Sequence, residues 1–348
     1  MDILDNPSQI SERDSHNALA VAGEEPNQLN TELRLENTPS KIPRFEQIVV
    51  AGMGGSALAS EVARDWLDLP VPFQVVKDYN LPQYVGPETL FVACSFSGNT
   101  EETISALLEA QDRGAPTIIL TGGGELLKLA KEQSLPHVEI SYSGQPRMNM
   151  LLNLRAFVEV FISYGLLEKS IRDELTSTAE RNSKLAEDWG SDKEFASNLA
   201  KQLAWHCAGK TPIIYATDRF GSLAYKWKIS FNENSKNIAF CNEFPEFNHN
   251  EFIGWSSHPV EKPFAVLDLR SSFDHPQVTK RFVVSDRLLS GKRPKALSVQ
   301  LVGETMLDQF VWGAVLADYT SIYLAILNGV DPTPVDLIEK LKKDLVNP

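Results

Sequence analysis

Two short stretches of the chain combine glycine with side-chain hydroxyls in the way that holding an oxyanion requires. The first, Gly52-Met53-Gly54-Gly55-Ser56-Ala57, follows the apolar run 48–51 and precedes a helical pattern over 59–69. A strand that turns on glycines into a helix leaves backbone N–H groups free at the helix N-terminus, and these attract an anion. Two ligands suit that turn. Gly52, Gly54 and Ala57 match G-x-G-x-x-A, the fingerprint of dinucleotide-binding folds, and Asp78 follows the apolar run 73–76 where a ribose-binding acid would sit. The doubled glycine with Ser56 equally suits a single phosphate on a small sugar. The second stretch, Ser95-Phe96-Ser97-Gly98-Asn99-Thr100, ends another apolar run and opens another helix, with three hydroxyls close together. Hydroxyls and amides donate to an oxyanion without burying a cation. A plain helix cap by Ser97 or Thr100, with Glu101 and Glu102 favouring the dipole, would use only one of those hydroxyls. A dinucleotide-binding domain has no use for this second loop, whereas a sugar phosphate does.

Such turns need strands to carry them, and the hydropathy pattern supplies the strands. Apolar runs at 48–51, 73–76, 89–94, 116–120 and 138–140 alternate with helical patterns, including 125–131 after Gly122-Gly123-Gly124 and a long apolar helix over 151–167. Runs that are apolar throughout indicate a parallel sheet covered on both faces, hence an α/β fold. The alternation restarts with strands expected at 211–216, 264–269 and 296–301 and helices at 223–232, 306–327 and 335–345. Gly329 is the expected C-cap of the second of these helices, with Asp331-Pro332 beyond it. The reading is a polar segment over 1–40, an N-terminal domain over 41–167, a solvated helical connector over 168–195 and a C-terminal domain over 196–348. Two similar sheets imply an internal duplication with a cleft between the halves, ligands binding outside the carboxyl ends of the strands. In the first segment a helix is expected near 28–34, and the opening dozen residues are expected to fray.

Composition sets outer bounds. A chain of 348 residues exceeds what one core usually serves. A net charge of −13 argues against nucleic acid or an anionic membrane as partner, but not against a small anion held locally. Cys94, Cys207 and Cys241 are far apart and read as reduced thiols, while the histidines are scattered singly, so no metal cage is expected. The N-terminus lacks the basic flank and apolar stretch of a signal peptide, and no run approaches a membrane span of about 20 apolar residues. The expected location is cytoplasmic.

Gly-Met-Gly-Gly-Ser at 52–56 with Ser-Phe-Ser-Gly-Asn-Thr-Glu-Glu-Thr at 95–103 resembles the sugar isomerase (SIS) domain. Further pieces narrow the resemblance. These are Lys77-Asp78-Tyr79 with Leu81-Pro82, Gln145-Pro146-Arg147, Asn232-Glu233-Asn234-Ser235-Lys236, Pro245-Glu246-Phe247-Asn248-His249-Asn250-Glu251, and Asp331-Pro332 with Ile338, Leu341, Lys342 and Leu345. Together they resemble the bifunctional phosphoglucose/phosphomannose isomerases from about residue 45 to 345. The resemblance implies two SIS-type domains, each a parallel sheet sandwiched by helices. It also implies a metal-free, cofactor-free aldose–ketose isomerase, usually a homodimer. Its substrate would be a phosphorylated hexose, glucose 6-phosphate and mannose 6-phosphate both interconverting with fructose 6-phosphate through a cis-enediol.

Chemistry gives each implied role a reason. Gly54, Gly55, Ser56, Ser95, Ser97 and Thr100 would hold the phosphate. Glu233 would be the base moving a proton between C2 and C1, a task that suits a carboxylate whose burial raises its pKa. His249 would act at O5 in ring opening, donated in many relatives to the neighbouring chain's site, and Lys342 would be the second ring-opening residue, with Lys340 and Lys343 close by. Arg147 would stabilise the enediolate. Ala57, Phe96, Met148-Asn149-Met150 and Val335 depart from the family's commoner residues. Two other functions are weighed: a non-catalytic SIS sensor of sugar phosphates, and an NAD-dependent oxidoreductase using Gly52, Gly54, Ala57 and Asp78.

Overall fold

The computed structural model describes residues 3–142, 144–257, 259 and 261–346. The chain divides into two compact units: Glu25–Ser183 forms one, and the segment up to Glu24 together with the chain from Lys184 forms the other.

The Glu25–Ser183 unit is built on five parallel strands: β1 (Gln47–Gly52), β2 (Phe73–Val76), β3 (Thr89–Ser95), β4 (Thr117–Thr121) and β5 (His137–Glu139). They lie in the order β2-β1-β3-β4-β5. The two central strands β3 and β4 are buried at every position, which is why their sequences are not alternating. On one face Val49, Phe91, Ala93 and Ile119 pack with Ala106, Leu107 and Ala110 of helix Glu101–Asp112 and Leu126 of helix Gly124–Glu132. The intervening residues Ile48, Val50, Leu90, Val92, Ile118 and Leu120 are equally inaccessible. Helices Gly54–Trp66 and Met150–Ser163 pack on each other, and Phe161 meets Phe73 of β2 edge to face at 6.0 Å.

The other unit carries β6 (Thr211–Thr217), β7 (Phe240–Phe244), β8 (Phe264–Arg270) and β9 (Leu297–Gln300), all parallel, in the order β7-β6-β8-β9. That order repeats the first four strands of the other sheet, as an internal duplication requires. Its centre is helix Met306–Asn328, buried from Met306 to Ile326, opened by a capping box of Thr305 and Asp308 and closed by Gly329 at φ +73°. By length and composition this helix could cross a membrane, contrary to the expectation that no run would. Its apolar window is 94% buried inside the protein, as in a core helix.

Several local expectations are corrected. Pro7–Arg13, within the stretch expected to fray, is a helix, with Pro7 at its first turn, Asn6 Oδ1 accepting from the Gln9 N–H at 3.2 Å and Ile10 buried. Ala18–Glu24 is a second helix, whose first N–H groups bond the buried Asp14 carboxylate. No helix spans 28–34; a 3-10 turn at Glu25–Asn30 gives way to extended chain. The connector is helix Ile171–Ala186, but it buries Leu175, Ala179, Asn182 and Ala186, so one face is packed. Strand β7 and helices Leu199–Cys207 and Pro276–Leu288 had no counterpart in the sequence reading.

If the first helix is part of its unit, Ile10→Ala should cost about 2–4 kcal/mol, as for other buried large-to-small changes. Urea unfolding followed by circular dichroism measures this; a cost near zero would mean that the segment frays after all.

Candidate active site

The strand order reverses between β1 and β3, because the chain moves from β1 outward to β2 and then returns to the other side of β1. Ligands in open parallel sheets bind outside the carboxyl ends of the strands at such a point. Both hydroxyl-bearing turns leave the sheet there, with Gly52 paired to Cys94 across the two strands. A dinucleotide fold of the common kind places β1 between β2 and β4, and this sheet does not. Asp78 is exposed, and its carboxylate accepts the N–H of the next residue, Tyr79, at 2.6 Å.

In the first turn Gly54 lies at φ +51° and opens helix Gly54–Trp66 with no side-chain cap from Met53. The N–H groups of Gly54 and Gly55 make no hydrogen bond among the described residues. A Cβ on Gly55 would stand 2.9 Å from the Pro146 carbonyl oxygen and 3.6 Å from the Cα of Arg147. Glycine is therefore required at 55 so that the turn carrying Arg147 can close against the helix N-terminus. Arg147 is 4% exposed, in the 3-10 turn Pro146–Met148, with Nη1 donating to Gln145 Oε1 at 3.3 Å. Gln28 fastens this turn from the far side: its Nε2 donates to the Met148 carbonyl at 2.6 Å and its Oε1 accepts from the Leu152 N–H at 3.0 Å.

The second turn is tied to the first by Ser56, whose Oγ accepts the Phe96 N–H at 3.3 Å. Beneath them Cys94 is fully buried, and burial pushes its thiol up to about 12 against a hydrogen bond with Ser56, so it is neutral. Ser95 Oγ lies 2.7 Å from Thr100 Oγ1 and 3.4 Å from Ser97 Oγ, so the three hydroxyls form one cluster. Thr100 occupies the N-cap position of helix Glu101–Asp112, yet its hydroxyl makes no capping bond. The loop's shape is enforced by its neighbour. Gly98 is at φ +68°, and a Cβ there would fall on the Gly123 carbonyl oxygen. The Leu126 N–H donates to the Gly98 carbonyl and the Glu125 N–H to Asn99 Oδ1, both at 3.0 Å. Gly122-Gly123-Gly124 are thus the brace of the serine loop, a role that sequence spacing does not reveal.

In the other unit the corresponding strand ends are filled by the chain's own acids. A Cβ on Gly221, at the start of helix Gly221–Glu233, would run into the Glu243 carboxylate. Asp274 accepts from Thr217 Oγ1 and from the Ser271 N–H, each at 2.9 Å. The topology is duplicated there, with two of the chain's own carboxylates at those strand ends.

The residues expected to handle protons, Glu233, His249 and Lys342, lie in this second unit. Glu233 is the last residue of helix Gly221–Glu233, half-buried, behind the fully buried Trp227 and Phe231. Asn232 Oδ1 accepts the Ala239 N–H at 3.0 Å. Lys236, at φ +56°, donates Nζ to the carbonyls of Glu233 at 2.9 Å, Asn234 at 3.2 Å and Pro332 at 2.9 Å. His249 ends the 3-10 turn Glu246–His249 and is exposed, with no hydrogen bond among the described residues. Its turn is anchored by the buried Phe247, packed at a tilt against Tyr215 and Phe244, and by Asn248 Nδ2 donating to Ser285 Oγ at 2.8 Å. Lys342 falls in helix Asp336–Val346, and its side chain lies outside the described residues. Among the described residues no three His, Cys, Asp or Glu side chains converge as a metal site.

Residues 42–154 match the SIS domain family, and residues 196–345 match the family described as the bacterial phospho-glucose isomerase C-terminal SIS domain. A bifunctional phosphoglucose/phosphomannose isomerase of Caldicellulosiruptor bescii is 34% identical over 88% of this chain and 91% of its own. One from Aquifex aeolicus is 32% identical over 89% of this chain and 93% of its own. Among solved structures, a glucose-6-phosphate isomerase like protein from Thermus thermophilus superposes with a TM-score of 0.67 and 17% identity, covering 99% of both chains.

Thr100→Val keeps the shape of the N-cap residue and removes one hydroxyl of the cluster. It should weaken binding of a hexose 6-phosphate about tenfold, or about 1.4 kcal/mol, with an unchanged melting temperature. Unchanged affinity by calorimetry would place the anion elsewhere.

Proposed function

The chain belongs to the bifunctional phosphoglucose/phosphomannose isomerase family, and on that premise we propose that it interconverts glucose 6-phosphate and mannose 6-phosphate with fructose 6-phosphate. The observation that carries this reading is the pairing of the Gly54-Gly55 N–H groups with the Ser95, Ser97 and Thr100 hydroxyls where the strand order reverses. Neutral donors at a helix N-terminus suit a phosphate dianion. They hold a substrate and can do nothing further, because none of them exchanges a proton near neutral pH.

The chemistry falls to other residues. His249 and Lys342 open the sugar ring. Glu233 takes the C2 proton of the open-chain aldose and returns it to C1, while the carbonyl moves from C1 to C2 through a cis-enediol. Arg147 offsets the charge that grows on the enediolate oxygens. Glucose and mannose 6-phosphates differ only at C2, so both give the same enediol once the intermediate turns about its C2–C3 bond. One base then serves both activities. No metal ion or cofactor takes part. The working form is a cytoplasmic homodimer in which His249 reaches the neighbouring chain's substrate, a role its exposure and lack of a bond among the described residues support.

Glu233→Gln should lower both isomerase activities by at least about 100-fold, the usual weight of a general base, and leave hexose 6-phosphate binding intact. Survival of either activity near the wild-type rate would remove Glu233 from the role. Activity should also persist in full after exhaustive chelation, and a loss restored by a divalent cation would refute the metal-free mechanism.

A further inference from the structure

Helix Gly221–Glu233 lies against helix Met306–Asn328, and the contact is apolar except along one stripe. Lys226, Ser230 and Asn234 follow one another at four-residue steps, so they share a helix face. All three are at most 1% exposed, and they meet Asp318 and Ser321, both at 0%. Lys226 Nζ pairs with Asp318 Oδ2 at 2.6 Å, and Ser230 Oγ donates to Asp318 Oδ1 at 2.8 Å. Asn234 Nδ2 reaches Asp318 Oδ1 at 3.4 Å and Ser321 Oγ at 2.9 Å. Farther along the same helix, Asn328 Nδ2 donates to the Ser235 carbonyl at 3.0 Å and to Asn237 Oδ1 at 2.6 Å.

A buried ion pair is a poor way to hold two helices together. Desolvating both charges offsets most of their attraction, and apolar residues of similar size often serve as well or better. What polar bonds add is direction. Here the bonds converge on the end of the helix, on its C-cap Asn234 and on the following turn at 235–237. Glu233 lies between two fastened asparagines: Asn232 bound to the Ala239 N–H, and Asn234 bound to Asp318 and Ser321.

We propose that Asp318 is a positioning residue for Glu233. Together with Lys226, Ser230 and Ser321 it fixes where the helix ends and which way its last residue faces, so that the Glu233 carboxylate is held for proton transfer. The proposal rests on the reading of Glu233 as the base. Asp318 acts through the helix and does not touch the substrate.

The test compares two double variants. K226M/D318L removes the buried ion pair and leaves Ser321 as the partner of Asn234, so it should fold, with a melting temperature lowered at most by the lost Ser230 bond. Its kcat should fall by about 100-fold, the scale of a 1 Å misplacement, while KM changes by less than about twofold because the phosphate is held elsewhere. The kinetic isotope effect with substrate deuterated at C2 should rise, as proton transfer becomes limiting. K226M/D318N keeps an acceptor for Ser230 and should recover most of the rate. A folded K226M/D318L with wild-type kcat and isotope effect overturns the proposal, as do equal losses in the two double variants. If K226M/D318L does not fold, Asn234→Ala, which leaves the ion pair in place, is measured instead. A fall in kcat of about tenfold at constant KM supports the proposal, and wild-type kinetics overturn it. Glu233→Gln is assayed alongside. If it is active, the base assignment fails and the positioning role with it; if it is inactive while K226M/D318L is fully active, only the positioning role fails.

Discussion

The candidate phosphate site exists because three backbones come closer than side chains would allow. β1 and β3 end side by side, and the turns that follow them carry glycine at 52, 55 and 98. A Cβ at 52 would meet the Cys94 carbonyl, one at 55 the Pro146 carbonyl, and one at 98 the Gly123 carbonyl. These approaches bring the helix N-terminus, the serine loop and the Arg147 turn to the same end of one sheet. The hydroxyl cluster of Ser95, Ser97 and Thr100 has its geometry only while the brace at 121–125 stands behind it.

The second unit repeats the strand order and uses it differently. Its strand ends carry the carboxylates of Glu243 and Asp274. Helix Gly221–Glu233, which follows the strand β6, is an arm whose last residue is the proposed base. The helix behind it, Met306–Asn328, is apolar almost throughout, which makes its few buried polar residues informative. Asp318, Ser321 and Asn328 all bond to the end of that arm or the turn after it. On the proposed reading, the two copies of one architecture divide two tasks, anion holding and proton handling.

Much of this was legible in the sequence where local physics dominates. Continuous apolar runs marked the strands around β1, β3, β4, β6 and β8, and glycine beside serine marked the turns after β1 and β3. Gly329 was recognisable as a C-cap because only its left-handed conformation ends the long helix there. The failures are equally local in origin. Strand β7, Phe-Cys-Asn-Glu-Phe, is half-exposed at a sheet edge and lacks an apolar run. The N-terminal helices are only seven residues long each, and they are held by burial of Ile10 and by the Asp14 cap, neither of which a hydropathy pattern registers. At the candidate site the hidden parts are the long-range ones. Gly123 lies under Gly98 and Gln28 under Met148, while Asp318 stands beside Ser230 across 88 positions of sequence. No spacing rule connects such pairs.

The central chemical claim is a single enediol, made by one base and shared by two epimeric aldoses. Isomerisation of fructose 6-phosphate in deuterium oxide, followed by NMR of the products, tests it most directly. The account predicts solvent deuterium at C2 of both glucose 6-phosphate and mannose 6-phosphate. Because both aldoses would draw on the same protonated base, deuterium at C2 of one with protium alone at C2 of the other would mean that they do not share one enediol and one base, and would contradict it.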